Sequence, residues 1–203
     1  MGANINEVVD GMSYDERIGD SFLNAGIGYG GSCLPKDTKA LKYLAKQNKY
    51  NLKTIESAIE VNEEQKIKLF KKAYKRLKTF KKLKIAILGV TFKADTDDLR
   101  EAPSLKNIDL LLKYKADIYA YDPVAIQKLK KIYSNKIHYA DTVEDALENS
   151  DVCFIFTEWK QIKEIQPEKY KKLMKKTIIY DGRNIYDEKE MKKNGIEYYS
   201  IGR

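Results

Sequence analysis

The sequence is poor in the residues that build metal centres, disulfide frameworks and histidine-based catalytic sites. Its 203 residues include one histidine, His138, and two cysteines, Cys33 and Cys153. The single histidine is predicted to be a strand residue, which leaves no Ser-His-Asp or Cys-His triad. Cys153 lies in the apolar run 151–157 and is predicted to be a buried strand residue. A disulfide between two cysteines in such unlike surroundings is not expected.

Long apolar runs are also missing. No stretch approaches the roughly 20 apolar residues that a membrane-spanning helix needs, and no charged-then-apolar leader opens the chain. We therefore expect a cytoplasmic protein that does not enter a membrane. The net charge of +8 raises the possibility of nucleic-acid binding. Most lysines stand beside glutamates in helical segments, as at 63–66 and 168–172, so solvated helix faces explain the charge and no nucleic-acid partner is expected.

Two parts of the chain differ in their pattern. Residues 1–82 are predicted to be helical, and an apolar stripe of helical period over 54–79 predicts one long helix of about 39 Å. Such a helix usually bridges domains or packs against a partner chain, so we expect a homodimer formed through it. Residues 83–203 instead alternate short apolar strands with amphipathic helices. The predicted fold class is α/β, a helical segment with a long connecting helix followed by a Rossmann-like doubly wound parallel sheet of six strands.

The expected strand order of this sheet is 3-2-1-4-5-6. Ligands of such sheets bind beyond the carboxyl ends of the strands, near the switch between the first and fourth strands. Residues 89–100 and 158–159 would lie at that edge. Asp181-Gly182-Arg183 follows the fifth strand, and Asp122 ends the second strand, where an acid often meets a ribose.

A glycine-rich segment, 26–31, resembles a dinucleotide-binding fingerprint. Such a fingerprint has to follow a strand and open a helix, and nothing before Gly26 is predicted to be a strand. The first strand of the sheet, 84–89, ends with one glycine, Gly89, where the fingerprint has three. We therefore do not expect an NAD site formed wholly within this chain.

The residues after this segment offer a nucleophile. In 30–37, Cys33 stands at a predicted helix N-terminus with Lys36 three residues on. The helix dipole and a nearby cation both favour a thiolate over a thiol. A cysteine in a loop without a chemical role remains the alternative on these residues alone.

The charged segment 91–103 follows the first strand and runs into a helix that Pro103 begins. Lys93 and Arg100 supply positive charge for a diphosphate at the usual phosphate-binding place of this architecture. A solvated charged loop is the alternative.

Three segments, 26–37, 88–93 and 97–104, together resemble the UDP-glucose/GDP-mannose dehydrogenase family. Members of that family have an N-terminal NAD-binding Rossmann domain, a central helical domain and a C-terminal UDP-binding domain. The resemblance implies that 1–82 is the last part of the central dimerisation domain with the catalytic loop and that 83–203 is the UDP-sugar-binding domain. It also implies that the NAD-binding domain is missing from these residues.

The resemblance further implies a role for individual residues. Cys33 matches the catalytic nucleophile, Asp37 the carboxylate that positions water, and Lys36 and Arg100 the cations near NAD. The implied substrate-binding residues are Arg17, Phe22, Leu23, Asn24, Ala25, Gly26, Tyr29, Gly30, Phe92, Lys93 and Arg183, with Arg17 reaching the neighbouring subunit's substrate.

The implied activity is oxidation of UDP-glucose to UDP-glucuronate by two NAD⁺, through a cysteine thiohemiacetal and thioester. Within this resemblance, Ser32 and Lys36 disfavour the N-acetylhexosamine branches of the family. The segments 26–29 and 156–159 look more like UDP-glucose enzymes, with GDP-mannose as the alternative substrate. A non-catalytic module that binds nucleotide sugars or dimerises is the other alternative. Because the NAD-binding domain is not expected here, residues 1–203 alone are predicted to be inactive.

Overall fold

A computed structural model describes residues 2–203, in which a helical part precedes an α/β part. The helical part consists of α1 (Ile5–Ser13), α2 (Cys33–Gln47), α3 (Lys53–Lys66) and α4 (Lys68–Leu77). Asn4 caps α1, because its side chain accepts a hydrogen bond of 2.9 Å from the backbone N–H of Asn6. No helix within 2–203 is both long enough and apolar enough to cross a membrane.

The α/β part is a single six-stranded parallel sheet. Its elements are β1 (Lys84–Leu88), α5 (Pro103–Lys113), β2 (Asp117–Tyr121), α6 (Ile126–Tyr133), β3 (His138–Tyr139), α7 (Val143–Leu147), β4 (Val152–Ile155), α8 (Lys160–Lys163), α9 (Pro167–Leu173), β5 (Ile178–Asp181), α10 (Glu188–Lys193) and β6 (Glu197–Tyr199). The strand order is β3-β2-β1-β4-β5-β6, which confirms the predicted order and fold class. His138 and Cys153 lie in strands, as predicted. The four-residue helix α8 was not predicted.

The central strands are buried on both faces, as expected where helices cover both sides of a parallel sheet. Residues 85–88 of β1 and 152–155 of β4 are fully buried. On one face, Phe154, Tyr180 and Tyr199 stack across β4, β5 and β6 with ring centroids 5.1 and 4.8 Å apart. Cys153 faces the opposite core. Because all six strands are parallel, their carboxyl ends lie at one edge of the sheet, which we call the carboxyl edge.

The single helix predicted over 54–79 is wrong, because α3 and α4 meet at Ile67. The backbone of Ile67 departs from the α conformation, with φ −106° and ψ 9°. Asn107 of α5 reaches this point and donates a hydrogen bond of 2.7 Å to the carbonyl oxygen of Lys66. A side chain that inserts into the helical hydrogen-bond ladder is a known cause of such breaks. The two helices therefore pack separately, and α4 buries Leu69 and Ala73 in the core.

Candidate functional site

The carboxyl edge is held together by Asp122, at the end of β2. Its carboxylate accepts hydrogen bonds from the backbone N–H groups of Val90 (2.8 Å) and Ala125 (2.9 Å) and from the indole of Trp159 (3.2 Å). The residue is 3% exposed. The donors belong to the segments that follow β1, β2 and β4, so the Asp122 carboxylate connects these three segments at the carboxyl edge. Because these hydrogen bonds occupy the carboxylate of a buried residue, the structure gives no support for a contact between Asp122 and a ribose.

The glycine-rich loop, residues 26–31, lies directly on this edge. The N–H of Ile27 donates to the carbonyl oxygen of Gly182 (2.8 Å), and the N–H of Gly31 donates to that of Arg100 (2.8 Å). A β-carbon at residue 31 would come within 2.8 Å of the Phe92 ring. The loop can therefore approach the edge only where side chains are missing.

The other side of the glycine-rich loop packs against α3. The side chain of Asn62 accepts a hydrogen bond from the N–H of Tyr29 (2.8 Å) and donates one to its carbonyl oxygen (3.1 Å). Gln65 donates to the carbonyl oxygen of Gly26 (2.7 Å). Among residues 2–203 no strand precedes the loop. The glycines thus serve close packing between α3 and the sheet, and the prediction that they form no dinucleotide fingerprint is consistent with this arrangement.

Cys33 is the first residue of α2, and its thiol is exposed. Lys36, one turn later, forms an ion pair of 2.8 Å with Asp37. The hydrogen bond to Asp37 raises the pKa of Lys36, and the charge of Cys33 adds a smaller contribution in the same direction. The predicted nucleophile, the cation and the carboxylate thus all lie within residues 33–37, at the start of one helix.

A second cation faces this turn from the loop after β1. Arg100 binds Asp98 through two nitrogens, with Nε 2.9 Å from Oδ1 and Nη2 2.7 Å from Oδ2. The hydrogen bond to Asp98 raises the pKa of Arg100, and the charge of Cys33 contributes in the same direction. Cys33 therefore lies within electrostatic reach of positive charges on two different elements, Lys36 on α2 and Arg100 at the carboxyl edge.

A cavity of about 980 Å³ opens beside the carboxyl ends of β4 and β5. Five of the predicted substrate-binding residues line it, namely Leu23, Asn24, Ala25, Gly26 and Arg183. The lining residues that the sequence did not suggest are Asn6, Val9, Asp10, Asp20, Ser21, Lys163, Asn184 and Ile185. Glu158 completes the lining and had been expected at the ligand edge. The sequence gives no sign that α1 forms part of the cavity wall, because α1 is held by residues far from it in the sequence. The N–H of Ile5, for example, donates a hydrogen bond to the carbonyl oxygen of Gly202.

Arg183 ties three loops of the carboxyl edge together. Its Nε donates to the carbonyl oxygen of Phe156 (2.9 Å) and lies 3.1 Å from the Glu158 carboxylate. Its guanidinium also donates to the carbonyl oxygen of Phe92. The turn that carries Arg183 is itself fixed by Asp181, which accepts a hydrogen bond of 2.7 Å from the Arg183 N–H. The cavity wall is therefore joined to the loop that carries Lys93 and Arg100.

The remaining predicted residues are not among those that line the cavity. The side chain of Phe22 is 99% exposed. The side chain of Arg17 is 88% exposed and forms an ion pair with Asp15. Lys93 is exposed at the edge, with its ammonium 5.6 Å from the centroid of the Phe92 ring. Tyr29 lies in the glycine-rich loop and is half-buried where that loop packs against α3.

Two sequence models of one known family match separate parts of the chain. Residues 86–188 match the sequence model described as "UDP-glucose/GDP-mannose dehydrogenase family, UDP binding domain". Residues 1–64 match the central domain of the same family. The chain belongs to the UDP-glucose/GDP-mannose dehydrogenase family. The resemblance found in the sequence motifs is thereby confirmed.

Curated members of this family align along the whole chain. The UDP-glucose 6-dehydrogenase TuaD of Bacillus subtilis is 43% identical over 203 residues, which are 100% of this chain and 44% of the relative. The UDP-glucose 6-dehydrogenase of Rickettsia prowazekii is 40% identical over 205 residues, covering 100% of this chain and 47% of the relative. The chain thus spans about half the length of the curated relatives it matches.

Solved structures of the family share the fold. The UDP-glucose dehydrogenase of Pyrobaculum islandicum superposes with a TM-score of 0.84 at 26% identity, covering 99% of this chain and 44% of that one. The NDP-N-acetyl-D-galactosaminuronic acid dehydrogenase of Methanosarcina mazei gives a TM-score of 0.86 at 29% identity, with coverages of 100% and 45%. Both are nucleotide-sugar dehydrogenases.

Proposed function

We propose that this chain carries the nucleotide-sugar-binding and thiol-bearing half of a UDP-glucose 6-dehydrogenase. The observation that carries the proposal is the placement of Cys33 at the N-terminus of α2, joined through the glycine-rich loop to the cavity lined by Gly26 and Arg183. The curated relatives that cover the whole chain at 40% identity or more act on UDP-glucose by name.

The proposed reaction oxidises the primary alcohol of UDP-glucose to a carboxylate in two steps. NAD⁺, when bound, supplies the hydride acceptor for each step. After the first step the Cys33 sulfur adds to the aldehyde carbon, the carbonyl π bond opens onto oxygen, and that oxygen takes up a proton. The resulting thiohemiacetal gives a second hydride to the acceptor and its hydroxyl proton to solvent, which leaves a thioester. Water then hydrolyses the thioester to the acid and the free thiol.

The surroundings of Cys33 suit this chemistry. The N-terminus of α2 and the charge of Lys36 would stabilise the negative charge that develops on the substrate oxygen when sulfur adds to the aldehyde. Asp37, four residues after Cys33 on the same helix, is an exposed carboxylate that we assign to orienting the hydrolytic water. It forms an ion pair with Lys36.

The cavity supplies the substrate contacts of the proposal. Its volume is in the range of small-molecule sites. Arg183, together with Lys93 at the neighbouring loop, provides positive charge for the diphosphate, since arginine binds phosphate through two nitrogens. Residues 23–26 offer backbone groups to the nucleotide.

NAD would meet this chain at only two of its residues. Lys36 and Arg100 are exposed cations near Cys33, which fits contact with the negatively charged part of a dinucleotide. The remaining contacts are assigned to the N-terminal domain of the family. Residues 1–203 alone should therefore not turn over. A reactive thiol of this kind requires a reducing compartment, which supports a cytoplasmic reaction.

A homodimer through the helical part belongs to the same proposal. Leu41 and Leu44 on α2 and Val61 on α3 are exposed apolar side chains. Light scattering of the purified chain at micromolar concentration should give twice its mass of 23.5 kDa, and a monomeric mass would contradict the dimer.

Calorimetric titration of the chain with UDP, UDP-glucose and GDP-mannose tests the proposal. We expect UDP and UDP-glucose to bind, and Arg183→Ala to weaken both about tenfold or more, because a charged hydrogen bond to phosphate is lost. Tighter binding of GDP-mannose would transfer the proposal to that substrate. Absence of binding to all three by folded protein would overturn it. Sustained NADH formation from UDP-glucose and NAD⁺ by residues 1–203 would contradict the assigned division of labour.

A further inference from the structure

A chain of ion pairs runs from the helix of Cys33 into the interior. We call Lys39, Glu63, Lys66, Glu101 and Lys106 the Glu101 network. The carboxylate of Glu101 lies 2.7 Å from the Lys39 ammonium and 3.0 Å from that of Lys66. Lys66 is 1% exposed and also lies 2.8 Å from Glu63, which in turn contacts Lys106. The network links α2, α3, α5 and the loop after β1.

This network attaches α2 to the carboxyl edge on one side of Cys33. Lys39 follows Cys33 by six residues on α2, which corresponds to about 9 Å along the helix axis. On the other side of Cys33, the N–H of Gly31 donates to the carbonyl oxygen of Arg100. The two attachment points on the edge are consecutive residues, Arg100 and Glu101. The direction of α2, and with it the position of the Cys33 sulfur, is therefore set relative to the edge at two points.

The attachment uses features that a merely stabilising contact does not need. A lysine as buried as Lys66 requires compensation by partners of opposite charge. Glu101 has a φ of +53°, a backbone conformation that non-glycine residues rarely adopt and that clusters at functional sites. An exposed salt bridge on the surface would require neither.

The charge state of the carboxylate fits a permanent attachment. Hydrogen bonds from Lys39 and then Lys66 hold the pKa of Glu101 below its ordinary value. Glu101 is thus ionised throughout the neutral range.

We propose that Glu101, held by Lys66 and bound to Lys39, is a positioning residue that aligns Cys33 with substrate in the neighbouring cavity. The inference rests on the proposed function of Cys33 as the nucleophile. Within residues 2–203 the Glu101 carboxylate is paired with Lys39 and Lys66, and Glu101 is not among the residues that line the cavity, so its effect should appear in the geometry of attack and leave nucleotide affinity unchanged.

A UDP-linked chloromethyl ketone separates these two quantities. The Cys33 thiolate displaces chloride, so that a carbon–sulfur bond forms, the carbon–chlorine bond breaks and chloride leaves. The dependence of labelling rate on reagent concentration gives a half-saturation constant for UDP binding and a maximal rate for attack, both followed by intact mass. Iodoacetamide, which has no UDP group, reports the intrinsic reactivity of the thiol.

Lys39→Met removes the exposed partner of Glu101 and leaves the buried ion pairs in place, whereas Lys39→Arg keeps the charge. We expect Lys39→Met to lower the maximal labelling rate about tenfold, because small misplacements of reacting groups have large effects on rate. The half-saturation constant and the iodoacetamide rate should stay within about twofold of the parent chain, and Lys39→Arg should restore labelling. Glu101→Gln should reproduce the Lys39→Met result.

The inference is overturned if Lys39→Met labels like the parent chain, or if its half-saturation constant and maximal rate worsen together. Loss of rate with iodoacetamide as well would also overturn it, because intrinsic reactivity would then have changed. If the parent chain itself is not labelled by the UDP-linked reagent, while iodoacetamide does label it, the proposed function fails, and the positioning role fails with it.

Discussion

Gly30 lies against the carbonyl oxygen of Glu101 so closely that a β-carbon at residue 30 would come within 2.6 Å of it. The neighbouring atom is backbone and cannot rotate away. Gly30 does not have a positive φ, so a substitution there tests contact alone, without backbone strain.

We expect Gly30→Ala to destabilise the chain by about 1–3 kcal/mol, the usual cost of overpacking, and to weaken UDP binding as the loop lifts from the edge. Urea unfolding and calorimetry would measure the two effects. Gly11→Ala is the matched control, because among residues 2–203 no neighbouring atom lies within 4 Å of the β-carbon it would add to α1. It should stabilise by about 0.5–1 kcal/mol. Equal stability of the two variants would contradict the close approach.

The two cysteines should differ completely in reactivity. Cys33 is exposed, whereas Cys153 is fully buried and burial raises the pKa of its thiol well above the ordinary value. Native protein should therefore take up one iodoacetamide, at Cys33, and denatured protein two, as counted by intact mass. Cys33→Ser should take up none while folded. Rapid labelling of Cys153 in that variant would show that the sheet opens more readily than its burial implies.

Tyr198 should stabilise the turn that carries Arg183 through its hydrogen bond to Asp181, which is 2.6 Å long. Burial raises the pKa of Asp181, and the Tyr198 hydroxyl acts in the opposite direction by stabilising the ionised form. Tyr198→Phe removes a hydrogen bond to a charged group, so we expect a loss of about 1.5–3 kcal/mol at pH 7. The pKa of Asp181 is higher in the folded state, so Asp181 becomes protonated there as the pH falls, and the hydrogen bond is then no longer made to a charged group. The difference in the free energy of unfolding between Tyr198→Phe and the parent chain should therefore become smaller at lower pH.

Tyr180→Phe is the control for this substitution. Within residues 2–203 the Tyr180 hydroxyl is buried without a hydrogen-bond partner, so its removal should be neutral or slightly stabilising. Urea unfolding of both variants at pH 7 and pH 5 would check the pair. A loss for Tyr198→Phe that does not change with pH would argue against an ionised Asp181.

The Glu101 network should contribute a pH-dependent part to the free energy of unfolding. The pKa of Glu101 is lowered from an ordinary value of 4.5, so its contribution is complete above that pH and disappears as pH falls through the lower, folded value. Glu101→Gln should therefore be less stable than the parent chain by about 1–3 kcal/mol at pH 7, since buried Lys66 loses a partner. The difference should narrow below pH 4.5.

Asp97→Asn provides the comparison for Glu101→Gln. Asp97 forms an exposed ion pair with Lys128, and its neutralisation should change stability by less than about 0.5 kcal/mol at any pH. Unfolding curves from pH 3 to pH 7 would show whether the two variants differ. Parallel curves would mean that Lys66 does not depend on Glu101.

The sheet was predictable because its information is local. Apolar runs such as 85–88 and 152–155 are long enough for strands and too short for helices, and their alternation with amphipathic segments restricts the strand order. The break at Ile67 was not predictable, because its cause, the side chain of Asn107, lies forty residues away in the sequence. No local pattern distinguishes a helix that continues from one that a distant amide interrupts.

The candidate site divides along the same line. The sequence could single out Cys33, Lys36 and Arg100 as candidates, because a cysteine beside a helix N-terminus and a cation after a strand are signals local in the sequence. The part of α1 in the cavity wall could not, since Asn6 and Asp10 carry no motif and meet Asn184 only in the folded chain. Their contribution depends on tertiary packing.

The docking of the glycine-rich loop also has a consequence for the order of folding. The loop forms hydrogen bonds with Arg100, which follows β1, and with Gly182, which follows β5. Both strands must therefore be in place in the sheet before the thiol reaches its final surroundings. During synthesis Cys33 leaves the ribosome before all six strands of the sheet, which follow it in the sequence. Contacts between segments so distant in sequence form late and slowly. Amide hydrogens of Ile27 and Gly31 should accordingly gain protection from exchange only in the last phase of refolding, after the amides of β1 and β4.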